Sequence, residues 1–231
     1  MLNILLFMGG SILASFAVCQ ASRFKLGLSI VFPRSFCDHC AHPLCWWQLI
    51  PIVGWLLQKG HCYFCHNKIS PLSAYLEGCY GILFILLNYF TYDPYLLFFA
   101  GELNIWLLLL ALQDHYTMHV SIWLLCLGGI FQVILAGDRV FSVLHHDWLE
   151  LVLIFLLLIT LCLTNKMGSA DLICLLVILL IEGFIFRIEL IFLTSILFLA
   201  KNFRAPKQQE LPFLPSLTVS FVLLTILNQL H

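Results

Sequence analysis

Apolar runs of helix-spanning length alternate with short polar breaks along nearly the whole chain. A transmembrane helix needs about 20 mostly apolar residues, and the runs at 2–20, 72–90, 95–113, 119–136 and 147–164 meet that need. The stretch 171–200 holds either two short crossings or one long one, and the charges of Glu182, Arg187 and Glu189 midway favour a turn between a sixth and a seventh helix. An eighth run covers 212–230. The pattern therefore predicts an all-α polytopic membrane protein of about eight transmembrane helices. The large polar break at 21–71 makes three parts: a first transmembrane helix at 1–20, an insert at 21–71 and a helical domain at 72–231. No internal repeat, low-complexity tract or long linker is evident.

Composition supports lipid as the solvent. Of 231 residues, 62% are hydrophobic and 10% charged, whereas a soluble domain is nearer half apolar and a quarter charged. A mean hydropathy of +1.01 leaves more apolar surface than a chain of this size can fold inward. The net charge of -1 offers no basic face for nucleic acid. At the N-terminus the first positive charges, Arg23 and Lys25, follow the apolar stretch instead of preceding it. That order predicts a retained span with its N-terminus outside, not a cleaved signal.

Lysine and arginine near helix ends set orientation. Counting alternate loops, Arg23, Lys25, Arg34, Lys59, Lys68, Lys166, Lys201, Arg204 and Lys207 fall on one side, and Arg139 and Arg187 on the other. This bias places the insert in the cytoplasm. Asp114, in LLALQDHYTMH, then lies at the cytoplasmic end of the third run, and Asp171, in NKMGSADLICLL, at the cytoplasmic start of the sixth. Two carboxylates from distant parts of the chain are thus expected at one depth of the membrane.

The cysteines divide into two groups. Cys19, Cys79, Cys126, Cys162 and Cys174 sit in or beside apolar runs, where free cysteine behaves as a small hydrophobe. Cys37, Cys40, Cys45, Cys62 and Cys65 share the insert, and two C-x-x-C turns, Cys37/Cys40 and Cys62/Cys65, are separated by 21 residues. That is close to the spacing of four-cysteine zinc sites, in which each turn offers two thiolates to one ion. A cytoplasmic setting argues against disulfides. His39, His42, His61 and His66 could substitute as ligands, and Cys45 is read as a spare. An insert of this size has little core, so a structural zinc would supply stability to a zinc-ribbon-like fold. Its apolar stretch WWQLIPIVGWLL is expected to lie against the membrane surface or an adjoining helix.

Paired aspartates suit peptide hydrolysis. One, ionised, takes a proton from water; the other, protonated, polarises the carbonyl and then protonates the leaving amine. Two carboxyls within hydrogen-bonding distance disfavour double ionisation, so the proton belongs to the pair. Each aspartate alone has a plainer reading: an acid at a helix N-terminus is favoured by the dipole, and Asp114 could face headgroups. The alternative function is a carboxylate-coupled membrane transporter; a third is a membrane scaffold built on the zinc insert. His115 and His119 could pair on a metal but lack a third ligand, and are read as interfacial residues.

Several strings together resemble a known family. ASFAVCQASR, Ala14 to Arg23, resembles a G-S-F-x-N-V-x-x-x-R opening; paired C-x-x-C turns bracket a W-x-x-L-I-P-I stretch, Trp46 to Ile52; PLSAYLEGCYG leads into the second span; GSAD precedes an apolar helix; and LPFLPSL resembles an I-P-F-x-P motif. In this order they resemble the type IV prepilin peptidases, membrane aspartic proteases of the GxGD kind. The departures are Ala170 for the second glycine of Gly-x-Gly-Asp, no proline after the first aspartate, and Ala14 and Val18 for the glycine and asparagine of the opening. Alanine disfavours left-handed backbone, so the GSAD turn is expected to be an ordinary one.

The resemblance implies a leader peptidase that cuts the basic leader of prepilin-like or pseudopilin precursors after a glycine, at the cytoplasmic membrane face, with Asp114 and Asp171 as the catalytic pair. It further implies N-methylation of the new terminus with S-adenosylmethionine, for which no donor motif is evident. A competence-type processing role fits the small size.

Overall fold

The computed structural model describes residues 1–91, 93–164, 167–203 and 211–230. Lys166, Arg204 and Lys207 of the charge pattern lie outside the described residues. Among the described residues there is no strand; two isolated bridges, Phe36 with Pro43 and His61 with Lys68, are the extended pairings. Helices occupy all eight of the expected runs. The chain forms two compact units, Met1–Leu97 and Phe98–His231.

In the first unit, α1 (Leu2–Lys25) and α3 (Leu72–Phe90) pack side by side. Both are long and apolar enough to cross a membrane. Their contacts run in opposite senses, from Ser11 Oγ donating to the Glu77 carbonyl at 2.9 Å to Asn88 Nδ2 donating to Asn3 Oδ1 at 3.3 Å, so the helices are antiparallel. Between apolar helices lipid removes the hydrophobic driving force, and association rests on close approach of small residues and polar contacts. Gly10, Ser11, Ala14, Ala17 and Ala21 supply that buried stripe. A Cβ at Gly10 would meet the Tyr80 carbonyl oxygen at 2.4 Å, and one at Gly81 would meet Phe7 and Ser11 at 2.7 Å. These two glycines set the interhelical distance.

Residues between α1 and α3 therefore emerge at one end of this hairpin. They hold a 3-10 turn, Trp46–Leu49, and the short α2, Val53–Leu57. Arg23, in the last turn of α1, is buried and donates to the carbonyls of Ser29 (2.9 Å), Ile30 (3.0 Å) and Pro33 (2.7 Å), folding the start of the insert over the helix end.

The second unit contains most of α4 (Pro94–Thr117), then α5 (Ile122–Leu135), α6 (Gly137–His146), α7 (Trp148–Leu163), α8 (Ser169–Ile181), α9 (Phe184–Asn202) and α10 (Leu214–Leu230). α4 is a third helix long and apolar enough to cross alone; α5 and α6 pass that test only as a pair bent by 81°. The 171–200 stretch is two helices, broken where Glu182 (ψ 150°) and Gly183 (ψ 167°) are extended. One core joins α4, α5, α7, α8, α9 and α10 through residues such as Leu107, Leu110, Leu125, Leu158, Ile178, Leu190 and Leu217. Trp106 Nε1 donates to the Leu124 carbonyl at 3.0 Å and Thr218 Oγ1 to that of Leu107 at 3.2 Å, tying α5 and α10 to α4.

Two polar side-chain contacts also tie helices of this unit together. Arg187, fully buried near the start of α9, bonds the Asp147 carboxylate at the start of α7. Gln132 of α5 donates to Glu102 of α4.

Candidate active site and metal cluster

Asp114 is the fourth residue from the end of α4 and is 9% exposed. Its Oδ2 accepts the Leu214 N–H at 3.2 Å, and the Phe213 N–H also bonds the carboxylate. Leu214 opens α10, and the first amides of a helix have no partner within it. Asp114 satisfies them across a separation of 100 residues. The LPFLPSL string is what places them there, since Phe213 and Leu214 lie between its two prolines.

Asp171 is the third residue of α8, with Gly168 at the N-cap. Its carboxylate accepts the Gly168 N–H, the return half of a capping box. A Cβ at Gly168 would stand 3.2 Å from Asp171 Oδ2, so glycine leaves room for that contact. Ala170 is helical and has no positive φ, in keeping with the ordinary turn expected from alanine.

The structure brings the two aspartates together. Each lies within electrostatic reach of the other, Asp114 acting on Asp171. Cys174, one turn along α8 from Asp171 and fully buried, feels both. Lys201, in the last turn of α9, and His115 lie within electrostatic reach of Asp114. Four helices thus converge: α4 and α8 bring the carboxyls, α9 a cation, and α10 two amide donors. Below Asp114, the buried Gln113 accepts the Ser121 N–H at 2.9 Å and holds the turn that follows α4. His115 and His119 are exposed and stay outside any metal-ligand group among the described residues.

Sequence reasoning missed Phe213 and Leu214 as partners of Asp114, and it placed Cys174 with the inert apolar cysteines. Amide donors carry no side-chain signature; Cys174 had one, its spacing of three residues from Asp171.

In the first unit, Cys37, Cys40, Cys62 and Cys65 form one cluster with their sulfurs all within 4.8 Å of one another. The two C-x-x-C turns are copies. In each, the first cysteine's N–H donates to the carbonyl five residues on: Cys37 to His42 at 2.9 Å, Cys62 to Asn67 at 2.8 Å. In each, the residue four positions on donates back: Ala41 to Cys37 at 2.9 Å, His66 to Cys62 at 3.0 Å. Ala41 and His66 share a positive φ of 55°. The Cys62 thiol is drawn down to about 7 by the N–H groups of Cys65 and Phe64.

The cluster fits a tetrahedral ion. Zinc with four thiolates at about 2.3 Å puts the sulfurs about 3.8 Å apart, and Cys37 Sγ and Cys65 Sγ are 4.0 Å apart. All ten cysteines are free of disulfides. The histidines considered as substitutes have other neighbours: His42 stacks on Phe64 with centroids 3.5 Å apart, and His61 Nδ1 lies 2.9 Å from the Lys59 carbonyl.

Comparison with known proteins shows the family. The family profile for the Bacterial Peptidase A24 N-terminal domain matches residues 8–91. A prepilin leader peptidase/N-methyltransferase of Bacillus subtilis (strain 168) is 31% identical over 242 residues, covering 95% of this chain and 92% of the relative. Proteins of the same name from Klebsiella pneumoniae (36% identical over 90 residues) and Myxococcus xanthus (37% over 81) match 36% and 35% of this chain, and 40% and 24% of their own length. The chain thus spans less than half of those two relatives. No solved structure matches the chain. With similarity to the Bacillus protein running from end to end, the chain belongs to the prepilin leader peptidase/N-methyltransferase family.

Proposed function

We propose that this protein is a prepilin leader peptidase in which Asp114 and Asp171 are the catalytic pair. The observation that carries the reading is the convergence of two carboxylates, 57 positions apart in the sequence, each held by main-chain amides at a helix start. One carboxylate takes a proton from a water, which attacks the scissile carbonyl; the other, protonated, polarises the carbonyl oxygen through a hydrogen bond and then gives its proton to the leaving amine. No covalent intermediate forms. The fixed amides of Phe213 and Leu214 keep the Asp114 oxygens in place during the proton transfers, which is the positioning that peptide hydrolysis requires.

The substrate is a prepilin-like or pseudopilin precursor whose own apolar helix lies in the bilayer and whose basic leader is removed after a glycine. The lysine and arginine bias supports a cytoplasmic location for that step and for the insert, in a cell membrane. The relatives' name includes N-methyltransferase, and methylation of the new N-terminus from S-adenosylmethionine comes to this chain on that ground. Zinc is the ion for Cys37, Cys40, Cys62 and Cys65, where it would crosslink two turns of an insert with little core.

The purified protein in liposomes, given a precursor peptide with and without S-adenosylmethionine, tests the reading. The expected products begin immediately after a glycine and gain one methyl group's mass only when the methyl donor is added. An intact precursor under both conditions contradicts the peptidase, and unmethylated product under both contradicts the methyl transfer alone.

A further inference from the structure

The segment 46–57 is built inside out. No Asp, Glu, Lys or Arg occurs between Asp38 and Lys59. Its large apolar side chains point outward: Trp46 is 78% exposed, Leu57 63%, Leu56 58%, Leu49 48% and Val53 44%. Its polar groups turn inward. Gln48 is buried and accepts the Cys45 N–H at 2.7 Å while donating to Gln58 Oε1 at 3.0 Å, and Gln58 Nε2 donates to the Gly54 carbonyl at 2.9 Å. A segment folded for water would show the reverse.

Its position along α3 is also defined. The Ile52 N–H donates to Glu77 Oε2 at 2.6 Å, whose other oxygen accepts the Ser73 hydroxyl at 2.8 Å. Ile52 Cδ1 lies 4.0 Å from where a Cβ on Gly78 would stand. At 1.5 Å rise per residue, Glu77 and Gly78 are roughly 8–9 Å along α3 from its start. Ile52, at the middle of the segment, therefore sits beside the second turn of this candidate span and not beyond its end. Amphipathic interfacial elements bury their apolar face roughly 5–10 Å into the headgroup–acyl boundary, and tryptophan is enriched at that level.

We infer that residues 46–57 are a monotopic lipid anchor, immersed in the bilayer interface with Trp46, Leu49, Val53, Leu56 and Leu57 among acyl chains. The occupant is lipid because the face is free of charge, the Gln48, Ile50, Val53, Gly54 and Leu56 N–H groups bond to nearby carbonyls, the Ile52 N–H is satisfied by Glu77, and that contact sets the segment against a helix long and apolar enough to cross a membrane. The anchor holds the four-cysteine cluster, which flanks it on both sides in sequence, against the membrane. The inference does not depend on the peptidase reading, and its test involves no cleavage.

The full chain is reconstituted in bilayers whose phospholipids carry bromine either high on the acyl chain or near its end. Tryptophan fluorescence of wild type and Trp46→Phe is compared, with zinc content confirming that both are folded. The component lost in Trp46→Phe is expected to be quenched by shallow bromine, less by deep bromine, and to be shielded from acrylamide. A second probe, Leu57→Trp in the Trp46→Phe background, is expected to show the same order. A component open to acrylamide and blind to bromine puts the segment in water; one shielded from both puts it against protein. Either result overturns the inference.

Discussion

At the scale of residues, the candidate dyad depends on main-chain donors, and this makes Gly168 sensitive to substitution. An alanine there puts a Cβ 3.2 Å from Asp171 Oδ2, so the carboxylate must yield by a few tenths of an ångström. A full 1 Å misplacement can cost about 100-fold in rate; Gly168→Ala is expected to lower precursor cleavage about tenfold without lowering protein level, and full activity would show that Asp171 tolerates displacement. Arg187 gives a second residue-scale prediction. Removing one partner of a buried ion pair costs about 3–5 kcal/mol, whereas replacing both with apolar groups is often neutral. Asp147 keeps 26% of its side-chain surface, so Asp147→Ala is expected at the low end of that range, read as a lower thermal midpoint in detergent. Asp147→Ala with Arg187→Leu should recover most of the loss; equal midpoints for wild type and Asp147→Ala would show that the pair adds nothing. Asp114 and Asp171 were legible because the lysine and arginine bias puts both at the end of their apolar runs that faces the same side of the membrane. Their partners were not, because any residue at positions 213 and 214 supplies an amide.

At the scale of elements, the length of apolar runs located every long helix, and charge clustering located the break at Glu182–Gly183. The helix α6 was not foreseen. Residues 137–146 mix Asp138, Arg139, His145 and His146 with Val140, Phe141 and Leu144, a pattern that forms a helix only by turning one face to a neighbour. The close approach of α1 to α3 was also hidden, although GlyGlySer at 9–11 and Ala14, Ala17 and Ala21 spell a small-residue stripe once the partner is known. Losing an interhelical hydrogen bond such as that of Ser11 costs about 0.6 kcal/mol in a membrane, whereas overpacking costs about 1–3 kcal/mol. Gly10→Val is therefore expected to destabilise more than Ser11→Ala, and the reverse order of thermal midpoints would contradict the packing account. In the insert, the duplicated C-x-x-C turns predict that Cys62→Ser abolishes zinc retention, from about one ion per chain, and exposes residues 26–71 to protease. Retained zinc in that variant would remove Cys62 from the ligand set.

At the scale of the whole molecule, composition identified a membrane protein, and the order of motifs along the chain identified the family that similarity to the Bacillus relative then showed. What sequence could not supply was the geometry that sets Asp114 within electrostatic reach of Asp171, since α4 and α8 are joined through the packing of the second unit's core. The most direct measurement uses membranes containing wild type, Asp114→Asn or Asp171→Asn, mixed with a prepilin-like precursor and read by gel mobility and by the new N-terminal residue. Cleavage by wild type that disappears in both variants at equal protein level is the predicted result. Unimpaired cleavage by either variant would contradict the dyad.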